Sequence, residues 1–195
     1  MENKEVLGLI AVILSVVGFI PYIISIYKGT TKPHVFSWIV WFIATAIIFF
    51  AQVTANGGPG AWATGVSAVL VALITVLAYK RQADISITKS DWICFIIALL
   101  ALPFWFFTSD PFWAVLILSA VDFLAFIPTV RKTYHDPYSE IRTLPAILAL
   151  RDGFAMAAFE TYNATTMMFP LMTFSMCTFF VVMITIRRKA VPQTV

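Results

Sequence analysis

Three ionisable residues lie in the middle of long apolar stretches of the sequence: Asp122, Arg151 and Asp152. In hydrocarbon an ionised side chain costs at least about 2.5 to 3.5 kcal/mol, so it normally points inward and pairs with another group. Asp122 and Arg151 lie at similar depths in their stretches, and they form either a fixed buried ion pair or a functional site. In the functional alternative Asp152, about 100° from Arg151 around a helix, is alternately protonated and deprotonated.

Other polar residues are candidates for contacting a small molecule. Trp38 and Trp41 lie near the start of one stretch; we expect Trp38 to anchor an interface, and Trp41 either to do the same or to face a cavity. Ser67 and Ser175 lie nearer the middle of two further stretches, where serine most often bonds its own backbone or a neighbouring helix. Asn163, at the end of a stretch, is either a ligand or a helix cap.

The sequence lacks the residue patterns of catalysis and metal binding. His34 and His135 have no ligand partners at metal spacing, and there is no Gly-rich phosphate loop, nucleophile elbow or HExxH motif. Both cysteines, Cys94 and Cys177, fall inside apolar stretches, which excludes a disulfide framework and predicts small buried apolar residues. We therefore expect no enzymatic activity, no metal and no other cofactor.

The composition is that of a membrane protein. The 195 residues are 61% hydrophobic and 12% charged, and the mean hydropathy is +0.90. Because about 20 apolar residues in a helix span the hydrocarbon core, we predict an all-α polytopic membrane protein, one domain over residues 1–195. Its seven predicted transmembrane helices are Val6–Tyr27, Val35–Gln52, Ala61–Tyr79, Trp92–Phe107, Phe112–Val130, Ile141–Phe159 and Thr165–Ile186.

The distribution of basic residues predicts the orientation. Of the 13 lysines and arginines, all except Lys4 and Arg151 lie in the odd-numbered connections or in the C-terminal tail. Since basic residues stay on the cytoplasmic side, we expect the N-terminus outside and the C-terminus in the cytoplasm. Short loops and the absence of a targeting signal fit a bacterial inner membrane. The net charge of +3 reflects residues beside anionic lipid and predicts a bilayer partner, with no nucleic acid.

The chain contains an internal repeat. The spacing from Pro21 to Pro128 equals the spacing from Asn56 to Asn163, and the Lys80-Arg81 pair recurs at the same distance as Arg187-Arg188. These landmarks predict a duplicated unit of three helices, at about residues 6–81 and 112–189. The helix between them, at about residues 92–107, turns the chain so that both units point the same way. We therefore predict two parallel three-helix bundles joined by a linker helix, with a solute site between the halves.

Two segments resemble the signature of the PQ-loop superfamily, which includes the SWEET sugar facilitators and the lysosomal amino-acid exporters. The segments are PYIISIYKGTTKPHVFS and PTVRKTYHDPYSE. Each begins with a helical proline followed by basic residues, and the first ends at the serine that opens the next helix. Tyr22 and Thr129 replace the two glutamines that name the signature. The resemblance covers the whole chain and implies the same seven-helix fold.

The resemblance also implies roles for three prolines. A proline inside a helix frees the carbonyl four residues earlier, which hydrocarbon tolerates only where protein or water satisfies it. Pro21 and Pro128 therefore point to an interior pathway, and Pro145 matches a second helical proline of SWEET repeats. All three are hinges of alternating access or static kinks. Asp152 resembles the coupling position of proton-linked exporters.

The expected function is secondary transport of a small polar or zwitterionic solute, such as a sugar or an amino acid, by alternating access. Coupling to protons is one form of this hypothesis. Because the membrane-embedded charges lie in the second unit alone, they favour a charged or zwitterionic solute, or protons, over a neutral sugar. The alternative is a sorting receptor of the same fold that transports nothing. The absence of Lys and Arg from the outer connections disfavours such a receptor.

Overall fold

The computed structural model describes residues 2–29, 35–81, 89–138 and 142–191, and these residues form helices and no strand. The all-helical class predicted from the sequence is confirmed. The α-helices of the described ranges are α1 (Glu2–Tyr27), α2 (Val35–Thr54), α3 (Trp62–Lys80), α4 (Lys89–Thr108), α5 (Pro111–His135), α6 (Thr143–Ala158) and α7 (Ala164–Ala190). A short 3₁₀ turn, Gly58–Ala61, precedes α3.

Four of the described helices are long and apolar enough to cross a membrane. They are Asn3–Tyr27, Val35–Thr54, Gly58–Lys80 and Ala164–Ala190; shorter apolar segments run over Phe95–Thr108 and Pro111–Leu124. The chain therefore has the helices of a membrane-embedded protein. The prediction of seven spans is not confirmed, because the apolar segments of α4 and α5 are shorter and α6 has only 16 residues, about 24 Å of helix, with Arg151 and Asp152 at its centre.

The helices expose apolar side chains and bury polar ones. On α1 an exposed stripe recurs every three or four residues, which places it along one face of the helix. The stripe is Val6, Leu9, Ile13, Val17, Ile20 and Ile24. By contrast Ser15, Gln52, Ser67 and Thr166 are buried. This distribution suits a chain surrounded by hydrocarbon, in which the interior holds the polar groups.

The first three helices pack against the last three. Helix α1 contacts α3 and α6, and α2 contacts α3 and α5. Helix α7 contacts α5 and α6, whereas α4 lies beside α2 and α5. The space enclosed by α1, α2, α3, α5, α6 and α7 is therefore formed by two groups of helices that are distant in the sequence.

Two connections, residues 57–61 and residues 159–163, contact each other at one end of the helices, and we term this contact the closed end. Phe159 is fully buried there, and the Glu160 backbone N–H donates to the Gly57 carbonyl at 3.1 Å. Lys4 Nζ donates to the Phe159 carbonyl at 2.6 Å. A Cβ on Gly60 would lie 2.4 Å from the Phe159 ring, so glycine permits the approach of the two connections.

Candidate functional site

A cavity of about 440 Å³ lies among the helices other than α4. This volume is within the range of roughly 300 to 1,000 Å³ that is usual for small-molecule sites. Its walls combine aromatic rings with a few polar groups. The charged residues among its lining residues are Asp122 on α5 and the neighbours Arg151 and Asp152 on α6.

The centre of the site is a hydrogen-bonded charge network. Arg151 Nη1 donates to Ser67 Oγ at 2.8 Å, and Arg151 Nε donates to Asp152 Oδ1 at 2.9 Å. Arg151 Nη2 also contacts Asp152 Oδ1 in a salt bridge. Thr173 Oγ1 donates to Asp152 Oδ2 at 2.7 Å. Because these bonds join α3, α6 and α7, the network ties both groups of helices to one buried ion pair.

The partner of Arg151 differs from the one considered in the sequence analysis. Arg151 and Asp152 are adjacent, and their Cα–Cβ directions diverge by about 100°, yet the long arginine side chain curls back onto its neighbour. Both residues are buried, with 6% and 2% of their surfaces exposed. Among the side chains that the structure describes, no ion pair joins Arg151 to Asp122. The alternative in which Asp122 and Arg151 form a fixed ion pair is therefore wrong.

Asp122 lines the same cavity without a described partner. It is half-buried, and no hydrogen bond or ion pair to its carboxyl group occurs within the described ranges. Its charge is near that of the Arg151 and Asp152 pair in the cavity wall, but the guanidinium is already engaged. The Asp122 carboxyl group is therefore available to bind a solute atom or a proton.

Aromatic rings form much of the cavity wall. Tyr22, Trp38 and Trp41 pack in series, with ring centroids 5.2 Å apart for Tyr22 and Trp38 and 5.1 Å apart for Trp38 and Trp41. The structure places Trp41 in the cavity wall. The prediction that Trp38 anchors a lipid interface is wrong, because it is 8% exposed and lies between the other two rings.

Two predicted ligands lie outside the cavity. Ser175 is exposed on α7, and its hydroxyl donates to the Leu171 carbonyl at 2.7 Å, a common bond for serine in a membrane helix. Asn163 caps α7: its side chain accepts the Thr166 N–H at 2.9 Å, and Thr166 Oγ1 accepts the Asn163 N–H at 3.1 Å. Of the two alternatives for Asn163, the helix cap is the one that the structure contains.

Two of the three prolines have side chains within the described part of the chain, and their environments differ. Pro21 is exposed within a continuous α1, so its expected position on an interior pathway is wrong; Tyr22, next along the helix, faces the cavity. The side chain of Pro128 lies outside the described residues, although α5 continues past it. Pro145 lines the cavity in the first turn of α6, where its missing N–H costs no helical hydrogen bond.

Helix α7 contributes more of the cavity wall than the sequence predicts. Phe169, Thr173, Met176, Cys177 and Phe180 line the cavity. Their spacing of three and four residues is that of one helix face, so this stripe was visible in the sequence. Thr173 stands out because its hydroxyl reaches Asp152. Cys177 is half-buried at the cavity wall, in contrast to the fully buried position expected.

Comparison with known proteins gives no match to a family model, a curated protein or a solved structure. In the described part of the chain no three His, Cys, Asp or Glu side chains group as metal ligands. The described residues of the site supply one buried ion pair, one separate carboxyl group and several aromatic rings. Such a site can bind a charged small molecule and hold or release a proton.

Proposed function

We propose that the chain is a proton-coupled secondary transporter of the PQ-loop and SWEET-like type. It moves a small polar or zwitterionic solute by alternating access. The observation that carries the proposal is the network of Ser67, Arg151, Asp152 and Thr173, buried in the wall of a cavity between two groups of membrane helices. Ionisable groups that remain in such positions despite their cost commonly mark solute or proton pathways.

The packing of the helices supports two parallel bundles, α1 to α3 and α5 to α7, with α4 as the linker. If α1, α2 and α3 are exchanged for α5, α6 and α7, each main contact maps onto another. The contact of α1 with α3 maps onto that of α5 with α7, and the contact of α1 with α6 maps onto that of α2 with α5. Related halves of this kind bind solutes at the interface between them.

The cavity wall supports the same repeat. Four of the five lining residues on α2 correspond to four of the five on α6 at one constant spacing, the spacing of Pro21 to Pro128. The corresponding pairs are Trp38 with Pro145, Trp41 with Leu148, Ala44 with Arg151, and Thr45 with Asp152. Phe19 and Phe126 form a further pair on α1 and α5. Equivalent positions of the two units thus face one cavity, but the charged residues among the described lining residues all belong to the second unit.

In this proposal all seven helices are embedded in a bacterial inner membrane, with the N-terminus outside and the C-terminus in the cytoplasm. The short α6 is acceptable because its charged centre is covered by protein. It packs against α1 and α7, and its Arg151 and Asp152 are buried. A short span also needs only modest local thinning of the bilayer.

Asp152 is the proposed coupling residue. Protonation removes its negative charge, so the Arg151 guanidinium loses its counter-ion and becomes available to an anionic group of the solute. Deprotonation restores the ion pair and expels that group. The closed end, where Phe159 is buried against Gly60, supports a conformation that is sealed on one side, as alternating access requires.

Asp152→Asn in proteoliposomes should abolish proton-driven uptake and leave exchange intact. The asparagine side chain still accepts a hydrogen bond from Thr173, but it cannot be protonated and deprotonated as a carboxyl group can. The solute is first selected by thermal-shift screening of amino acids, sugars and amines against the detergent-solubilised protein. We expect an imposed proton gradient to drive accumulation about tenfold less in the variant than in wild type, whereas counterflow stays within about twofold.

The matched control is Asp110→Asn, which changes an exposed aspartate before α5. Asp110 Oδ1 accepts the Phe112 N–H at 2.9 Å, and asparagine caps equally well. This control should transport as wild type does. Equal loss of both activities in Asp152→Asn would make Asp152 a structural residue and contradict its coupling role. Binding of a screened solute by wild type without any uptake would favour the receptor over the transporter.

A further inference from the structure

We infer that the cavity recognises an ammonium group, with Asp122 as its counter-charge and the surrounding aromatic rings as its wall. The inference names the solute class of the proposed transporter and so rests on that function for its biological role. Binding itself is measurable without transport. An amine or quaternary ammonium compound, including a zwitterion with such a group, fits this description.

Among the residues that the structure describes, the charges that line the cavity do not balance. Two carboxyl groups, Asp122 and Asp152, face it together with one guanidinium, Arg151. The guanidinium is bound to Asp152 through Nε at 2.9 Å and through its salt bridge. Asp122 has no hydrogen bond or ion pair among the residues described. In a site enclosed by apolar side chains, a carboxylate without a counter-charge is costly, and a cationic solute supplies the missing charge.

The aromatic rings provide a second feature that suits a cation. Tyr22, Trp38 and Trp41 form one group on α1 and α2, with centroids 5.2 and 5.1 Å apart in series. Phe126 and Phe180 form another, with centroids 5.0 Å apart. Phe126 lies one helical turn from Asp122 on α5, so the two side chains share a face. Ring faces attract cations within about 6 Å, and quaternary ammonium ions are bound in this way.

The polar groups of the wall disfavour neutral polyols and anions. The Thr45 hydroxyl donates to the Trp41 carbonyl at 2.6 Å, Ser67 accepts from Arg151, and Thr173 donates to Asp152. These groups are engaged within the protein, so few are left for the many hydroxyl groups of a sugar. An anion would meet the Asp122 carboxylate, and like charges in such a site repel.

The test compares choline with 3,3-dimethyl-1-butanol, which has nearly the same shape but carries a carbon in place of the charged nitrogen. Affinities are measured by calorimetry on the full-length protein in detergent, at fixed salt. We expect choline to bind about tenfold more tightly than the neutral alcohol. Asp122→Asn should abolish this preference, to within about twofold, without weakening the alcohol. Asp110→Asn, an exposed aspartate, should keep the wild-type ratio.

A second variant tests the same inference if the Asp122→Asn protein does not fold. Trp41→Leu keeps the cavity apolar but removes a ring, and it should lower choline affinity more than alcohol affinity. Equal affinities in wild type, no binding of either compound at millimolar concentration, or an undiminished preference in Asp122→Asn would overturn the inference. Uptake of a non-cationic solute with no ammonium preference would reject this inference alone. Ammonium preference without any uptake would reject the proposed transport alone.

Discussion

Arg151→Ala is expected to lower the free energy of unfolding by about 3 to 5 kcal/mol, the cost of leaving a buried charge without its partner. Asp152 is 2% exposed and receives two nitrogens of the guanidinium, so alanine would strand its carboxylate in the protein interior. Ser67 Oγ would also lose the Arg151 donor at 2.8 Å. The measurement is the unfolding of the detergent-solubilised protein, induced by heat or by denaturant.

The double variant Arg151→Met, Asp152→Leu separates the ion pair from the packing around it. Replacing both charges by apolar side chains of similar volume removes the stranded carboxylate, so most of the lost stability should return. Arg142→Ala, which changes an exposed arginine before α6, should stay within about 0.5 kcal/mol of wild type. An Arg151→Ala protein as stable as wild type would contradict the ion pair.

Gly60→Ala is expected to destabilise the closed end, by about 1 to 3 kcal/mol if the connections shift to accept it. The added Cβ would lie 2.4 and 2.5 Å from atoms of the Phe159 ring and 2.7 Å from the Phe159 backbone nitrogen. Because one of these atoms belongs to the backbone, rotation of the ring alone does not relieve the clash. The two connections must therefore move apart.

Gly153→Ala is the matched control, since its Cβ would meet Phe174 at an ordinary 3.8 Å. Within α6 that change should gain about 0.5 to 1 kcal/mol, because alanine favours helix more than glycine does. Unfolding in detergent reports both changes. If Gly60→Ala were as stable as Gly153→Ala, residues 57–61 and 159–163 would not be in the contact described here.

The existence of the helices was predictable because each apolar stretch is long. The residues at which the helices begin and end were harder to predict. The fifth stretch was expected to end at Val130, but α5 continues to His135. The first was expected from Val6, but α1 begins at Glu2. Hydropathy locates the part of a helix that is apolar, and the backbone hydrogen bonds continue beyond it. The length of the sixth apolar stretch, Ile141–Phe159, also did not show that α6 is only 16 residues long.

The candidate site was predictable in its residues and not in its contacts. Arg151, Asp152 and Ser67 stand out as polar groups in apolar stretches, and all three line the cavity. The sequence does not show which face of each helix points to the cavity, because these helices are apolar on all sides. For this reason the sequence indicates Ser175, whereas the structure has Thr173 in the cavity wall. The partner of Arg151 depended on its side-chain conformation, which spacing along the helix does not determine.

The central claim, a water-accessible cavity inside the membrane domain, is tested most directly by labelling Cys177 in intact membranes. The reagent is a charged, membrane-impermeant methanethiosulfonate, and Cys94→Ala removes the other cysteine. The comparison protein carries Cys94→Ala, Cys177→Ala and Val69→Cys, because Val69 is 69% exposed on the outer surface of α3. We predict that Cys177 reacts about tenfold faster than the cysteine at position 69, which lipid surrounds. Equal, slow labelling of the two positions would contradict the cavity.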